Sequence, residues 1–281
     1  MFFFLWLIAY AMAAMMIIIP LYPELLDSPA GGFEKYESDP HFLLLMQLGA
    51  LAGTILAVWF MRRGIENLSF REFCQISFGQ FGAGSVVGFA IVVVCSLMML
   101  FCRIVSIQFL GVSTLAISIL FFLLVAISEE LVFRGYLLNV LLERMKPRSA
   151  IVLSSAVFSL FHILNDHFDV IGFVNIFLSG ALFGLFYLRS KDLSAPIGLH
   201  FTWNLAQNVF GFAVSGNEMA GLFSLTHHSA NPTITGGQFG LEGSILLVPF
   251  VLFAVVMFLR KAPGSISNSS ANGPVDQSPA A

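Results

Sequence analysis

Val112–Ser128 reads VSTLAISILFFLLVAIS, and residues 129–135 follow it directly as EELVFRG. The first stretch carries no charge; the second opens on Glu129-Glu130 and adds Arg134. An uncharged apolar run of this length is the signature of a helix in bilayer hydrocarbon. Two carboxylates and a guanidinium at or near that depth are costly and seldom persist without a role. The apolar pattern resumes at Leu131 and runs to Leu142, until Lys146-Pro147 stops it, since proline cannot continue a helix. The charged heptapeptide is therefore predicted to lie on a membrane helix approaching its cytoplasmic end.

The rest of the chain agrees with a membrane setting. Of 281 residues, 58% are hydrophobic and only 10% charged, and the mean hydropathy is +0.89. Soluble domains carry about 25% charged residues. The net charge of -3 comes with no basic patch to neutralise phosphates, which excludes a nucleic-acid partner. Cys74, Cys95 and Cys102 form no CxxC pair and read as packing residues. The apolar N-terminus, Met1 to Ile19, lacks a basic leader and a cleavage site, so a retained membrane helix is expected. The C-terminal Ser-Pro-Ala-Ala carries no lipidation motif.

The predicted fold class is all-α, a polytopic bundle of about eight transmembrane helices. The apolar runs lie roughly at 2–19, 42–61, 81–101, 112–128, 149–164, 170–188, 194–215 and 243–259. Residues 1–261 form one integral-membrane domain in this reading, and 262–281 a tail of disordered composition. Basic residues cluster after alternate segments: Arg62, Arg63 and Arg71; Arg144, Lys146 and Arg148; Arg189 and Lys191; Arg260 and Lys261. Short Lys/Arg-rich loops stay cytoplasmic, so both termini are predicted to be cytoplasmic. The acidic stretch Tyr22–His41 and the polar, turn-rich stretch 216–242 then face the other side, the latter as a lid or a connector.

Polar residues on these helices are the candidates for chemistry. Helix neighbours point about 100° apart, so Glu129 and Glu130 cannot share one role. Glu130 and Arg134 are spaced i,i+4 and can pair along one face, which leaves Glu129 free to face another neighbour. An interfacial salt-bridge cluster is the plainer alternative. His162 shares a face with Phe158 at the far end of the fifth segment, where a lone histidine is more often a packed, hydrogen-bonded residue than a catalyst. His200 and Asn204 are also i,i+4, and suggest either a polar cavity or hydrogen bonding between helices. Gln207 and Asn208 extend the same stripe. Asp166, His167, Asp169 and the pair His227-His228 read as solvated loop residues.

Taken together, EExxFRG, FxxxH and HFxxN on three successive polar-bearing helices resemble the CPBP family of intramembrane proteases. That family includes the CAAX prenyl endopeptidases and the bacteriocin-immunity, abortive-infection-like proteins. The resemblance spans about residues 113–212 and is closest over Glu129-Glu130, Phe133-Arg134-Gly135 and Leu137. It implies an intramembrane endopeptidase acting on a membrane-anchored or prenylated protein or peptide, with membrane lipid as its other partner. It further implies Glu129 and His162 as the groups that activate water, and His200 and Asn204 as donors to the tetrahedral oxyanion. Arg134 would orient the acidic pair, with Glu130 as its partner. No cofactor is favoured. The alternative is a zinc protease with Glu129, His162 and His200 as ligands. No HExxH motif is present, however, and the neutral amide of Asn204 suits a donor better than a metal ligand. A transport protein or a non-catalytic immunity protein would also place polar residues inside a bundle.

Overall fold

The computed structural model describes residues 2–26, 35–36, 39–65 and 77–260. The expectations for Cys74, Arg71 and the tail from 262 onward fall outside these residues.

Each of the eight apolar runs forms a helix. In chain order these are α1 (Phe2–Leu21), α2 (Pro40–Trp59), α3 (Phe78–Phe101), α4 (Leu115–Leu142), α5 (Pro147–Phe161), α6 (Val170–Ser190), α7 (Ser194–Val209) and α8 (Val248–Arg260). Polar caps set several starts. Asp39 accepts from the His41 amide at 2.8 Å, and Asp169 accepts from Gly172 at 2.7 Å. Each satisfies an amide that the first helical turn leaves without a partner. Pro147, which ends the preceding run, opens α5 at the one position where a helix tolerates proline.

The expectation of about eight spans is met in part. Five helices are long and apolar enough to cross a membrane: Phe2–Leu21, Pro40–Arg63, Phe78–Phe101, Leu115–Leu142 and Val170–Ser190. The others, α5 with 15 residues, α7 with 16 and α8 with 13, fall short of that length. The apolar run read as reaching residue 215 is cut at Val209, where Gly211 turns the chain with φ +85°. Likewise the start of the last run is spent on turns before α8 begins.

Close contacts between helices are made through small residues. A Cβ on Gly53 of α2 would lie 2.2 Å from the Ala9 carbonyl oxygen of α1. On α3, a Cβ at Gly84 would lie 1.9 Å from Ala195 O, and one at Gly88 2.2 Å from Leu199 O, both on α7. Glycine at i and i+4 thus lets α3 and α7 approach backbone to backbone, as membrane helices commonly do. Where lipid tails surround a bundle, such van der Waals contact replaces the hydrophobic drive of a soluble core.

Two features were not foreseen. α4 is not α-helical throughout: Leu131–Leu138 is a π-helix, beginning one residue after the paired glutamates. And the segments that follow α3 and α7 are joined by an antiparallel ribbon, β1 (Val105–Phe109) with β2 (Phe223–His227). Cys102, expected to pack, is exposed at the end of α3, whereas Cys95 is buried.

Candidate active site

α4 carries the two glutamates into opposite surroundings. Glu130 and Arg134 are fully buried, and Arg134 Nη1 donates to Glu130 Oε1 at 2.7 Å. The other guanidinium nitrogen, Nη2, donates to the Gly180 carbonyl on α6 at 3.0 Å. The guanidinium plane lies over the rings of Phe158 and Phe183, 4.5 and 5.1 Å from their centroids. A buried charge is tolerated only when paired and hydrogen-bonded, and this one is both.

Glu130 has a second partner. Its Oε1 accepts from His200 Nδ1 at 2.9 Å, across 70 residues of sequence. A carboxylate can only accept here, so Nδ1 is the protonated nitrogen and Nε2 is the one left facing outward. The imidazole also stacks on Phe183, centroids 4.9 Å apart. Thus Phe183 is shared between the guanidinium and the imidazole, and the ring of His200 is fixed in position and tautomer.

Glu129 points the other way. Its side chain retains 26% of its exposure, and Oε2 lies 3.8 Å from His200 Nε2. That oxygen has no hydrogen-bond partner among the described residues.

His162 caps the C-terminus of α5, where Nδ1 donates to the Phe158 carbonyl at 2.9 Å and leaves Nε2 unprotonated. Asn204, one turn beyond His200, is buried to 5% exposure, and its amide makes no hydrogen bond to the described residues. Glu129, His162, His200 and Asn204 all line one cavity of about 890 Å³. Glu130 and Arg134 stand behind its wall rather than in it.

Other expected positions fall differently. Gln207 and Asn208 do not line the cavity. They are buried and tie α7 to the segment between α7 and α8, Asn208 through Met219 O at 2.8 Å and Gln207 through Glu242 at 3.3 Å. Asp166 and His167 are exposed as expected, yet both reach the cavity rim. Asp169 caps α6, and His228 Nε2 meets Ser106 Oγ at 2.9 Å on the exposed ribbon.

Three contributors went unrecognised in the sequence. Tyr10 of α1 and Gln47 of α2 line the cavity, with Tyr10 Oη donating to Gln47 Oε1 at 3.4 Å and Gln47 Nε2 to Ser128 Oγ at 3.1 Å. The third is Glu242, buried in a turn of the segment between α7 and α8. Its carboxylate accepts from Trp203 Nε1 at 2.8 Å and from Ser215 Oγ at 2.6 Å. A lone acid between glycines in a loop gives a sequence reader no reason to expect burial. The available signal was glycine itself, at Gly236, Gly240 and Gly243, which marks a tightly folded stretch. Gly240 adopts φ +95°, and a Cβ there would sit 1.8 Å from Ala213 O.

Among the described residues no three His, Cys, Asp or Glu side chains are grouped so as to hold a metal ion.

The chain is thus an integral membrane protein of helices, with an acid, two imidazoles and an amide gathered in a cavity between them. Residues 111–206 match the Rce1-like family, described as type II CAAX prenyl endopeptidase Rce1-like. The matched segment is a minority of the chain but contains every one of the motif residues. It supports the CPBP, CAAX-protease-like family for this protein. No curated protein and no solved structure matched the chain.

Proposed function

We propose that the protein is an intramembrane endopeptidase that hydrolyses a peptide bond of a membrane-anchored protein or peptide without a metal ion. The observation that carries this reading is the facing pair Glu129 and His200 in a cavity shared with His162 and Asn204. The family match supports a prenylated substrate as the first class to test.

In this mechanism a water lies against Glu129. Glu129 takes one proton as the water oxygen bonds to the scissile carbonyl carbon, with His162 Nε2 accepting a hydrogen bond from the same water. The carbonyl oxygen becomes an oxyanion. The Asn204 amide donates to it, as does His200 Nε2 when the ring is an imidazolium, with Nδ1 still donating to Glu130 and the second proton on the nitrogen that faces the cavity. The carbon–nitrogen bond then breaks, and Glu129 returns its proton to the leaving amine. Glu130 and Arg134 never touch substrate; they hold His200 in place, which saves the orientational cost of assembling the site during reaction. Both termini lie on the cytoplasmic side in this proposal, following the basic loops.

The test is reconstitution into vesicles with a membrane-anchored, prenylated peptide. Glu129→Ala should insert normally and lose cleavage by at least about 100-fold, the usual worth of a general base. Normal cleavage by Glu129→Ala would remove the assigned base, and Glu129-dependent ion uptake without cleavage would point to transport. Exhaustive chelation should leave the rate unchanged, whereas a loss restored specifically by zinc would overturn the metal-free mechanism.

A further inference from the structure

Between Phe42 and Trp59 the polar side chains of α2 are Gln47 and Thr54, and they bond to different helices. Thr54 Oγ1 accepts from Trp6 Nε1 of α1 at 2.9 Å. Gln47 Nε2 donates to Ser128 Oγ of α4 at 3.1 Å. The first bond joins two helices already in backbone contact at Gly49 and Gly53. The second lands on the residue immediately before Glu129. Gln47 and Ser128 are both buried, and a buried amide in an apolar bundle is costly unless it is bonded.

Ser128 stands at a junction. Its Oγ also donates to Leu124 O at 2.8 Å, within the α-helical part of α4. Glu130 is the last α-helical residue, and Leu131–Leu138 is the wider π-helix. The far end of the wide stretch is held as well. Asn139 Nδ2 donates to Arg134 O at 2.9 Å, to Gly135 O at 3.0 Å and to Tyr187 Oη of α6 at 2.7 Å.

A wide turn inserts an extra residue into a helix, so its place along the chain is a matter of register. Moving it past a residue rotates that residue by about 100°. Moved toward the N-terminus, it would swing Glu129 away from His200 Nε2, which now lies 3.8 Å from Glu129 Oε2. That oxygen has no hydrogen bond among the described residues to resist the rotation. What resists is the bond on Ser128.

We propose that Gln47 is a positioning residue for Glu129: by holding Ser128 it fixes the register in which Glu129, and not its neighbour, faces the cavity. This rests on the protease reading and deepens it, giving α2 a part in the reaction although it lies outside the matched segment 111–206. Tyr10 Oη donates to Gln47 Oε1 at 3.4 Å, which orients the amide with Nε2 toward Ser128. Gln47 acts through Ser128 and not on the substrate.

The experiment uses the full protein in nanodiscs with a membrane-anchored, prenylated peptide. Gln47→Met is close in volume and has no donor. It should lower kcat by about 10-fold or more, with KM within about twofold, as a small misplacement of a reacting group does. Ser128→Ala should do the same. The double variant should be no slower than either single one, because all three lack the same bond. Thr54→Val, which removes the bond from this helix to α1, should lower the melting temperature and leave kcat unchanged. An unchanged kcat in Gln47→Met, or effects that multiply in the double variant, would overturn the proposal. So would a Thr54→Val protein as slow as Gln47→Met, since general loosening of α1 and α2 would then explain both. All of these outcomes leave the protease reading standing. If the native protein cleaves nothing, the protease reading fails by itself, and the register is read another way. Glu129→Cys, in a background without the native cysteines, is labelled with a water-soluble thiol reagent, whose rate follows exposure to the cavity. Adding Gln47→Met should slow that labelling severalfold, and an unchanged rate would sink the proposal.

Discussion

Glu129 and Glu130 are adjacent in sequence and opposite in circumstance, and single substitutions separate them. Glu130 offsets the buried charge of Arg134 and holds His200, so Glu130→Ala leaves a guanidinium uncompensated among aromatic rings. Breaking a buried pair from one side costs about 3–5 kcal/mol. Thermal unfolding in detergent should show a large drop for Glu130→Ala and little change for Glu129→Ala, whose side chain borders open space. A Glu130→Ala protein as stable as the native one would mean that Arg134 finds another acceptor. The division between these two residues was legible from helix geometry, because neighbours diverge and i,i+4 residues meet. The contact of Glu130 with His200 was not, since only the folded bundle brings α4 and α7 together. Glu242 was less legible still. Nothing in local pattern distinguishes a buried loop acid from a solvated one; its burial follows from three donors on two other segments.

At the level of elements, apolar runs located all eight helices but misjudged how far several of them extend. Hydropathy records the environment of a segment, and a turn packed against the bundle is as apolar as a helix. That is why α7 and α8 are shorter than their runs. β1 escaped notice because five residues, VSIQF, alternate too briefly to stand out from a connecting loop, and a ribbon needs its partner to be recognised. The π-helix of α4 was equally hidden. Its sequence is a good α-helix pattern, and the wider turn sits where Arg134 must reach both Glu130 and Gly180. Such wide turns are found mostly at functional positions. The α3–α7 contact gives an element-scale expectation. Gly84→Val drives side-chain atoms into Ala195 O, where even a Cβ would lie at 1.9 Å. It should cost at least the 1–3 kcal/mol or so typical of overpacking and shift α7, with its His200 and Asn204. Melting temperature and cleavage rate should fall together, whereas Gly79→Ala on the same helix, with nothing near its Cβ, should change neither.

For the whole molecule, the matched family segment begins at residue 111, yet the cavity does not belong to that segment alone. Trp6 and Tyr10 from α1 and Gln47 from α2 form one wall, and Val214–Met219 with Glu242 form another. The motifs name the reacting groups; the flanking regions enclose them. Sequence comparison emphasises the former because chemistry constrains residue identity, whereas a wall constrains only size and polarity. The ribbon beyond that wall has one further property. Five residue pairs join β1 to β2, and main-chain bonds extend the ladder at both ends, from Leu110 to Leu222 at 2.8 Å and from His228 to Ile104 at 2.9 Å. Separating the strands breaks these bonds as a unit, so the amides of 223–227 that face β1 should take up deuterium slowly, at rates set by opening of the whole ribbon. Uptake as fast as in an unstructured peptide would contradict the zipped arrangement. If the zipper holds, the chain leaving α7 is tethered to the chain leaving α3, so these two helix ends shift together or not at all.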